Sequence, residues 1–543
     1  MVRNITLLLL LIVSHYALAG IYYVDQLYPN ANDQNTGTID QPWLTITHAT
    51  ATVLAGDTVQ VRTGVYHEAV RFDHAGNAQD GHILLSAYPG ETPVIDGTGV
   101  ETTQNGIIID KDYIAMTGLE IRNWDGNAVW ITGAGFTIMS DCDVHDTFFG
   151  IGVANGSHDF EFNRVTVHHF TLYGFDVSPS GGSDCYNGVF NSCIAHTGRD
   201  PEQNVDGFAL GHGTQHDFSF NHCITHDVYD GFDISSKQST LNGCLAYDCM
   251  NGCYKLWQDQ ITLVNCIGYN GQISIAELDW NGDPGVTSLI NCTFFNAGVY
   301  TIWIENSADT LHMTNCILAG GDNIGLAFEQ PGTGNYTGDY NLFHNDNDYR
   351  VIAVAYADEF DDHKVAGGDW TAYSGQDAHS LLSTSVDSIL LDPGNRDFHL
   401  APASRAIDAG TLNGAPVTDF DSNARPSGPG IDIGAYEYQV PTQINHAGAV
   451  PQDFEIYPNY PNPFNPTTTL NYEIKQQGNV RIDIFNTLGE SVCTLFNGDR
   501  APGQYQITWD GTDKDRNPAA SGIYFCRIQT RGGEKSVSML LLR

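Results

Sequence analysis

The 543-residue chain carries 64 acidic against 23 basic residues, a formal charge of −41, and it is long enough for a large core plus an accessory domain. So acidic a surface argues against nucleic acid as a partner, since counterion release there depends on Lys and Arg. It also repels a polyanionic sugar unless a cation sits between them, and calcium suits that place because a hard cation accepts carboxylate oxygens from both sides.

In chain order, residues 1–19 read as a secretory signal: Arg3, the apolar run Leu7 to Val13, then Ala17-Leu18-Ala19 for cleavage. The run is too short to span a bilayer, so we expect a secreted or cell-surface protein. Residues 20–440 read as one solenoid with an N-terminal cap. In the cap, Pro42-Trp43-Leu44-Thr45-Ile46 leads into an Ala-rich segment suited to one helix, and Gly56-Asp57-Thr58-Val59 and Gly64-Val65-Tyr66 follow as turn and strand.

Between about residues 125 and 330 one phrase recurs, a glycine followed by a short alternating run. It stands as Tyr173-Gly174-Phe175-Asp176-Val177, Asp206-Gly207-Phe208-Ala209-Leu210, Asp230-Gly231-Phe232-Asp233-Ile234 and Asn251-Gly252-Cys253-Tyr254-Lys255-Leu256. A second phrase, Asn-x-Cys or Asn-Cys, alternates with it and places Cys193, Cys223, Cys244, Cys266, Cys292 and Cys316 at spacings of 30, 21, 22, 26 and 24 residues. A period near two dozen, made of strands of four or five residues, fits one coil of a right-handed parallel β-helix. Coils stack at about 4.8 Å, so like residues form ladders along the axis, and the cysteines are expected as an internal stack of free thiols. Residues 441–456 read as a linker. Residues 457–543 read as a small β-sandwich, with strands at Thr468 to Ile474, Val480 to Phe485, Gln504 to Trp509, Ile523 to Gln529 and Ser536 to Leu542. Cys493 and Cys526 within it are candidates for a disulfide. The fold class is therefore all-β: a parallel β-helix followed by a β-sandwich.

Ladder geometry makes a site. If Phe208, Phe232 and Tyr254 point inward, Ala209, Asp233 and Lys255 point outward in one column. Asp206 and Asp230 stand above one another at the preceding turn. Three carboxylates and a lysine then converge on a patch about 10 Å tall, and oxygen ligands crowded in this way suit calcium.

Three stretches resemble known families. Tyr22 to Gly97, with Gln41-Pro42-Trp43, resembles the N-terminal cap of family 9 polysaccharide lyases and related β-helix proteins. Asp206-Gly207-Phe208, Asp230-Gly231-Phe232-Asp233 and Tyr254-Lys255-Leu256 resemble that family's active-site coils. The C-terminal segment, from Tyr457-Pro458-Asn459 through Asn465-Pro466 to Ser538-Met539-Leu540-Leu541-Leu542-Arg543, is similar to type IX secretion sorting domains, which implies the outer-membrane secretion machinery as a partner.

The lyase resemblance implies calcium-assisted β-elimination on a uronic-acid-containing, pectate-like glycan, with Lys255 as base and Asp206, Asp230 and Asp233 as calcium ligands. A neighbouring cation would lower the lysine pKa toward a useful base. The sequence departs from the family at Tyr229, where an aspartate is the pattern; Asp227, or Asp200 or Glu202, would supply the missing oxygen. Cys253 likewise stands where the family has glycine. Arg199, Trp257 and the Glu277/Asp279/Trp280 cluster are candidates to line a sugar groove, and the protein is expected to act as a monomer. The alternatives are a non-catalytic β-helix protein that binds glycan, and a hydrolase or epimerase on the same scaffold. His212 resembles a glycosidase fragment, but the paired carboxylates of hydrolysis are not evident.

Overall fold

The computed structural model describes residues 19–439 and 454–541. Short stretches within them are excepted: 101–104, 179–181, 200–203, 212, 214, 278–284, 306–308, 322–323, 331–332, 334, 345–349, 356–357, 384, 457–458, 460–463, 465, 487–490, 515, 521 and 531–532. The proposed signal up to residue 18, the proposed linker up to 453, and Asp200, Glu202, His212, Asp279 and Trp280 lie outside the described residues.

The chain winds into a β-solenoid of about 11 turns. Each coil gives one strand to a 13-stranded sheet running from Ile21–Val24 to Thr337–Asp339, with every neighbour parallel. The other two sheets run side by side and merge where single long strands, Glu120–Thr132, Asp143–Ala154 and Thr166–Ser178, serve both. From the next coil on they separate: Ile194–His196 and Ile224–His226 belong to one, Asp206–Leu210 and Asp230–Ile234 to the other. A single helix, Ile46–Thr52, closes the N-terminal end, capped by the Thr45 side chain, which accepts from the amide of His48.

Like residues stack inside the coil because the strand period is two and the rungs are in register. Phe175, Phe208, Phe232 and Tyr254 form one inward column, with ring centroids 4.7, 4.8 and 5.2 Å apart and planes within 8° of parallel. All four are buried. Cys193, Cys223, Cys244, Cys266, Cys292 and Cys316 stack as expected, and all twelve cysteines of the chain are free thiols. Each thiol of the ladder has a backbone carbonyl within reach, as Cys244 Sγ has Phe220 O at 3.4 Å.

After the last complete coil the chain turns back. Residues from Val386 to Tyr438 lie on the outer face of the sheet that carries Ile194, Ile224, Leu245 and Ile267, forming a second apolar core with Phe398, Leu400 and Ile433. Asn265, Asn291 and Asn315 hold this strap by donating to Thr418 O, Asp432 O and Thr411 O. The buried Arg425–Glu437 pair at 2.9 Å locks it.

The C-terminal strands pair among themselves in a three-stranded and a four-stranded antiparallel sheet around Leu470, Tyr472, Ile482, Trp509 and Cys526. A strand at Ser491–Arg500, not expected from the sequence, joins the four-stranded sheet. Cys493 and Cys526 do not pair. Both face Ile484 in register, from opposite sides of its strand, so two strand spacings of about 4.8 Å separate their backbones, beyond disulfide reach.

Because ten of the thiols lie within the solenoid and all ten are buried, a thiol reagent should reach few groups in the native protein and all twelve after unfolding under anaerobic conditions. An intact mass lower by a pair of hydrogens would reveal a disulfide and contradict the ladder.

Candidate active site

The site forms on the sheet that carries the glycine phrases. Gly174, Gly207 and Gly231 stand in one column, continued by Cys253, where the backbone of the next coil comes too close for a side chain. A Cβ on Gly207 would lie 2.1 Å from Thr225 Oγ1 and 2.8 Å from Gly231 O. Asp206 and Asp230 open their strands, Asp206–Leu210 and Asp230–Ile234, and are paired rung to rung. Asp-Gly here is thus a strand entry set by close packing rather than the middle of a turn. The outward column reads Gly152, Asp176, Ala209, Asp233, Lys255 on successive rungs.

Asp206, Asp230, Asp233 and Lys255 therefore share one flank, though not on the open surface that a strict outward patch predicts. Asp206 is 2% exposed and Asp230 is fully buried, while the Asp233 and Lys255 side chains are 16% and 15% exposed. Lys255 Nζ donates to Asp230 Oδ2 at 2.9 Å and to Asp233 Oδ2 at 3.1 Å. Trp257 Nε1 donates to Asp233 Oδ1 at 2.6 Å, and its ring lies 5.2 Å from the Lys255 ammonium. Asn251 Nδ2 and the amide of Gly252 both donate to Asp230 Oδ1, at 2.8 and 2.9 Å. Asp206 Oδ2 accepts from Asn204 Nδ2 at 3.3 Å, whereas its buried Oδ1 has no hydrogen-bond partner among the described residues.

Three carboxylates and one ammonium leave the cluster with excess negative charge, and the proton affinities follow. Burial, reinforced by the charges of Asp233 and Asp230 and opposed by Lys255, pushes Asp206 up to about 8. Burial also raises Asp233, with Lys255 pulling it back. At Lys255 burial works downward, but the charges of Asp233 and Asp230 and its hydrogen bonds to both outweigh it and hold the ammonium well above the usual lysine range. With these side chains alone, the direction is opposite to the lowered lysine expected beside a cation.

The remaining sequence candidates are distributed differently. Trp257 belongs to the cluster. Asp227 does not: its left-handed backbone (φ 53°) ends the neighbouring strand, and its half-exposed carboxylate pairs with His226 Nδ1 at 2.7 Å. Arg199 pairs with Asp146 Oδ1 at 2.7 Å, on another sheet. Glu277 ends the strand Ile273–Glu277, its backbone in register with Leu256 and Ile304. Asp176 was missed by sequence reasoning, although Gly174-Phe175-Asp176 repeats Gly231-Phe232-Asp233 residue for residue. It sits two rungs before Asp233, with Ala209 between them, and burial pushes it up to about 7. Tyr173, in register with Asp206, completes this end of the recess.

Residues 22–283 match the family described as "Pel9A-like, right handed beta helix region", and residues 465–534 match the FlgD Ig-like domain. The chain is 26% identical over 223 residues to pectate lyase PEL9 of Emericella nidulans, covering 40% of this chain and 50% of that protein. It is 36% identical over 121 residues to the uncharacterized protein YwoF of Bacillus subtilis (strain 168), covering 21% of this chain and 25% of that protein. The matches thus span half or less of the length of either curated relative. The solved structure of pectate lyase Pel9A aligns over 78% of this chain and 97% of its own, with a TM-score of 0.46 and 17% identity. Over residues 22–283 the β-helix is thus similar to the Pel9A-like family.

Asp206 gives a test in the absence of cations. Its folded-state pKa is raised, so its contribution to stability is complete below the ordinary carboxylate range of about 4 and is lost as pH climbs toward 8. In chelator, the unfolding temperature should fall between pH 4 and 8, and Asp206→Asn should flatten that fall. An equal slope in wild type and variant would contradict the buried, proton-holding Asp206.

Proposed function

We propose that the protein is an exported polysaccharide lyase that cleaves a uronic-acid-containing, pectate-like glycan by calcium-assisted β-elimination. One observation carries this reading: the coil register stacks Asp206 on Asp230 and Asp233 beside Lys255, so oxygen donors and a single amine share one recess. The donor set suits calcium, being carboxylate throughout, and the unpartnered Asp206 Oδ1 is an oxygen available to it. Asp206, Asp230 and Asp233 would hold the ion. When bound, calcium supplies positive charge that draws electron density from the uronate carboxylate and acidifies the neighbouring C5–H.

The chain's own groups do the rest. With Asp230 and Asp233 holding the ion, Lys255 would lose the two acceptors that keep it protonated, and its free amine would become accessible near neutral pH. Lys255 Nζ then takes the C5 proton, the C5–H electron pair forms the C4=C5 double bond, and the C4–O4 bond breaks with the leaving oxygen protonated from solvent. Trp257, hydrogen-bonded to Asp233 and flanking the amine, gives a sugar ring a flat apolar wall. Tyr229, in place of a fourth acid, leaves the ion fewer ligands. Export rests on the N-terminal segment. Passage through the outer membrane rests on the type IX-like C-terminal end, within which residues 465–534 match an Ig-like domain.

Incubation with polygalacturonate and calcium should yield the ultraviolet absorbance of unsaturated uronate, and chelator should abolish it. Lys255→Ala should lower kcat/KM by about 10²–10⁴-fold, the usual share of a general base. The ascending, acid-side limb of the pH–rate profile, set by deprotonation of Lys255, should move to lower pH as calcium is raised. Tyr229→Asp should lower the calcium concentration that gives half the maximal rate. Reducing ends without the absorbance would mean hydrolysis. A second reading, a glycan-binding protein without catalysis, is favoured by the double clamp on Lys255; binding with no product in saturating calcium would establish it.

A further inference from the structure

A second cluster lies on the adjacent sheet, away from the lysine. The outward column there is a ladder of rings: His145, His168, His196, His226, Tyr247 and Tyr269, with successive centroids 4.6 to 5.2 Å apart and planes within 13°. The neighbouring outward column changes character along the axis. It is Ile194, Ile224, Leu245 and Ile267 where the strap covers it, but Asp143 and Thr166 on the two preceding rungs.

At those two rungs His145 and His168 are paired, and Asp143 stands beside them. One donor atom from each of Asp143, His145 and His168 lies within 4.8 Å of the other two. The second ring nitrogens are committed elsewhere. His145 Nδ1 meets Asp146 Oδ2 at 2.7 Å, and Asp146 is itself held by Arg199 at 2.7 Å. His168 Nδ1 meets His169 Nδ1 at 2.6 Å. His145 Nε2 lies 3.3 Å from Glu120 Oε1. His168 Nε2 likewise faces Asp143 Oδ1 at 3.2 Å. A ring proton satisfies each of these contacts, and a metal ion that replaces it meets the same nitrogen and carboxylate donors. A carboxylate behind the imidazole of a metal ligand is the arrangement that fixes its tautomer and orientation.

We propose that Asp143, His145 and His168 form a binding site for a zinc-class divalent transition-metal ion, with Asp146 and Arg199 as positioning residues. Two imidazoles and one carboxylate are borderline N/O donors that suit zinc rather than calcium. Metal bonds of about 2.0–2.2 Å require the donors to close to within about 4 Å, by rotation of the half-exposed Asp143 carboxylate and of His145, the ring at the end of the ladder. Glu120 stays with Arg122 NH1, 2.6 Å away, and leaves the fourth position to solvent. The ion would clip two rungs together where the strap gives no cover. Arg199 thereby finds a role in this site rather than in a sugar groove.

The test is zinc binding to the chelator-stripped full-length chain in saturating calcium, followed by calorimetry, with cobalt(II) absorption as a report on imidazole ligation. One ion per chain is expected. Asp143→Asn, His145→Gln and His168→Gln should each weaken binding at least about 100-fold, and Asp146→Asn by about 10–100-fold. His226→Gln, further along the same ladder, and Lys255→Ala should leave it unchanged. Asp143→Asn changes a half-exposed side chain, so it keeps the test decisive should a histidine variant fail to fold by circular dichroism. No zinc uptake, or uptake equal in Asp143→Asn and wild type, would overturn the site.

Discussion

Rung-to-rung register is the constraint on which the rest of this structure depends. Parallel coils about 4.8 Å apart place residue upon like residue, and a slip of one residue would turn every inward side chain out. The stacked column Phe175, Phe208, Phe232 and Tyr254 pins that register from inside. With those rings fixed, Asp176, Ala209, Asp233 and Lys255 have one direction left to point. The chemistry of the flank is thus a by-product of core packing, and groups 22 to 24 residues apart in the chain become nearest neighbours.

The same stacking concentrates like charge, and the protein answers it in two ways. In the recess, Lys255 is set between Asp230 and Asp233 while Asp206 keeps a proton. On the adjacent sheet, imidazoles alternate with carboxylates, His145 with Glu120 and Asp146, His168 with Asp143. In both places neighbouring rungs supply more acceptors than donors, so a cation is the natural complement. The two differ in hardness: oxygen alone in the recess, oxygen with nitrogen on the ladder.

Sequence periodicity revealed the coil, the thiol stack and the shared flank of Asp206, Asp230, Asp233 and Lys255, because each is a consequence of register alone. Features that depend on what covers a coil, or on local backbone, were not legible. Asp227 is one residue past His226 and in a left-handed turn, so its carboxylate swings to the imidazole instead of the recess. Arg199 was read as a sugar contact, yet the partner that captures it, Asp146, is 53 residues away. The strand Ser491–Arg500 has no clean alternation, with exposed or half-buried residues throughout, and it contains the turn-favouring pair Gly498-Asp499. Asp176 was visible in the repeat but stood one coil before the residues that resembled a family.

The burial of the acids changes what the site asks of its substrate. An exposed carboxylate patch would repel a polyuronate at long range, with screening by salt. Here Asp230 is fully buried and hydrogen-bonded to Asn251, the Gly252 amide and Lys255, and Asp206 retains its proton to about pH 8. Much of the local negative charge is therefore neutralised before any glycan arrives. Under the proposed mechanism, loss of the Asp206 proton and release of the lysine clamp would be one event, because Asp206 would hold the ion together with Asp230 and Asp233, whose oxygens keep the base protonated. On that proposal substrate capture and base activation would be coupled through the same three oxygen-bearing residues, and the missing acid at Tyr229 would bear on rate as well as on affinity.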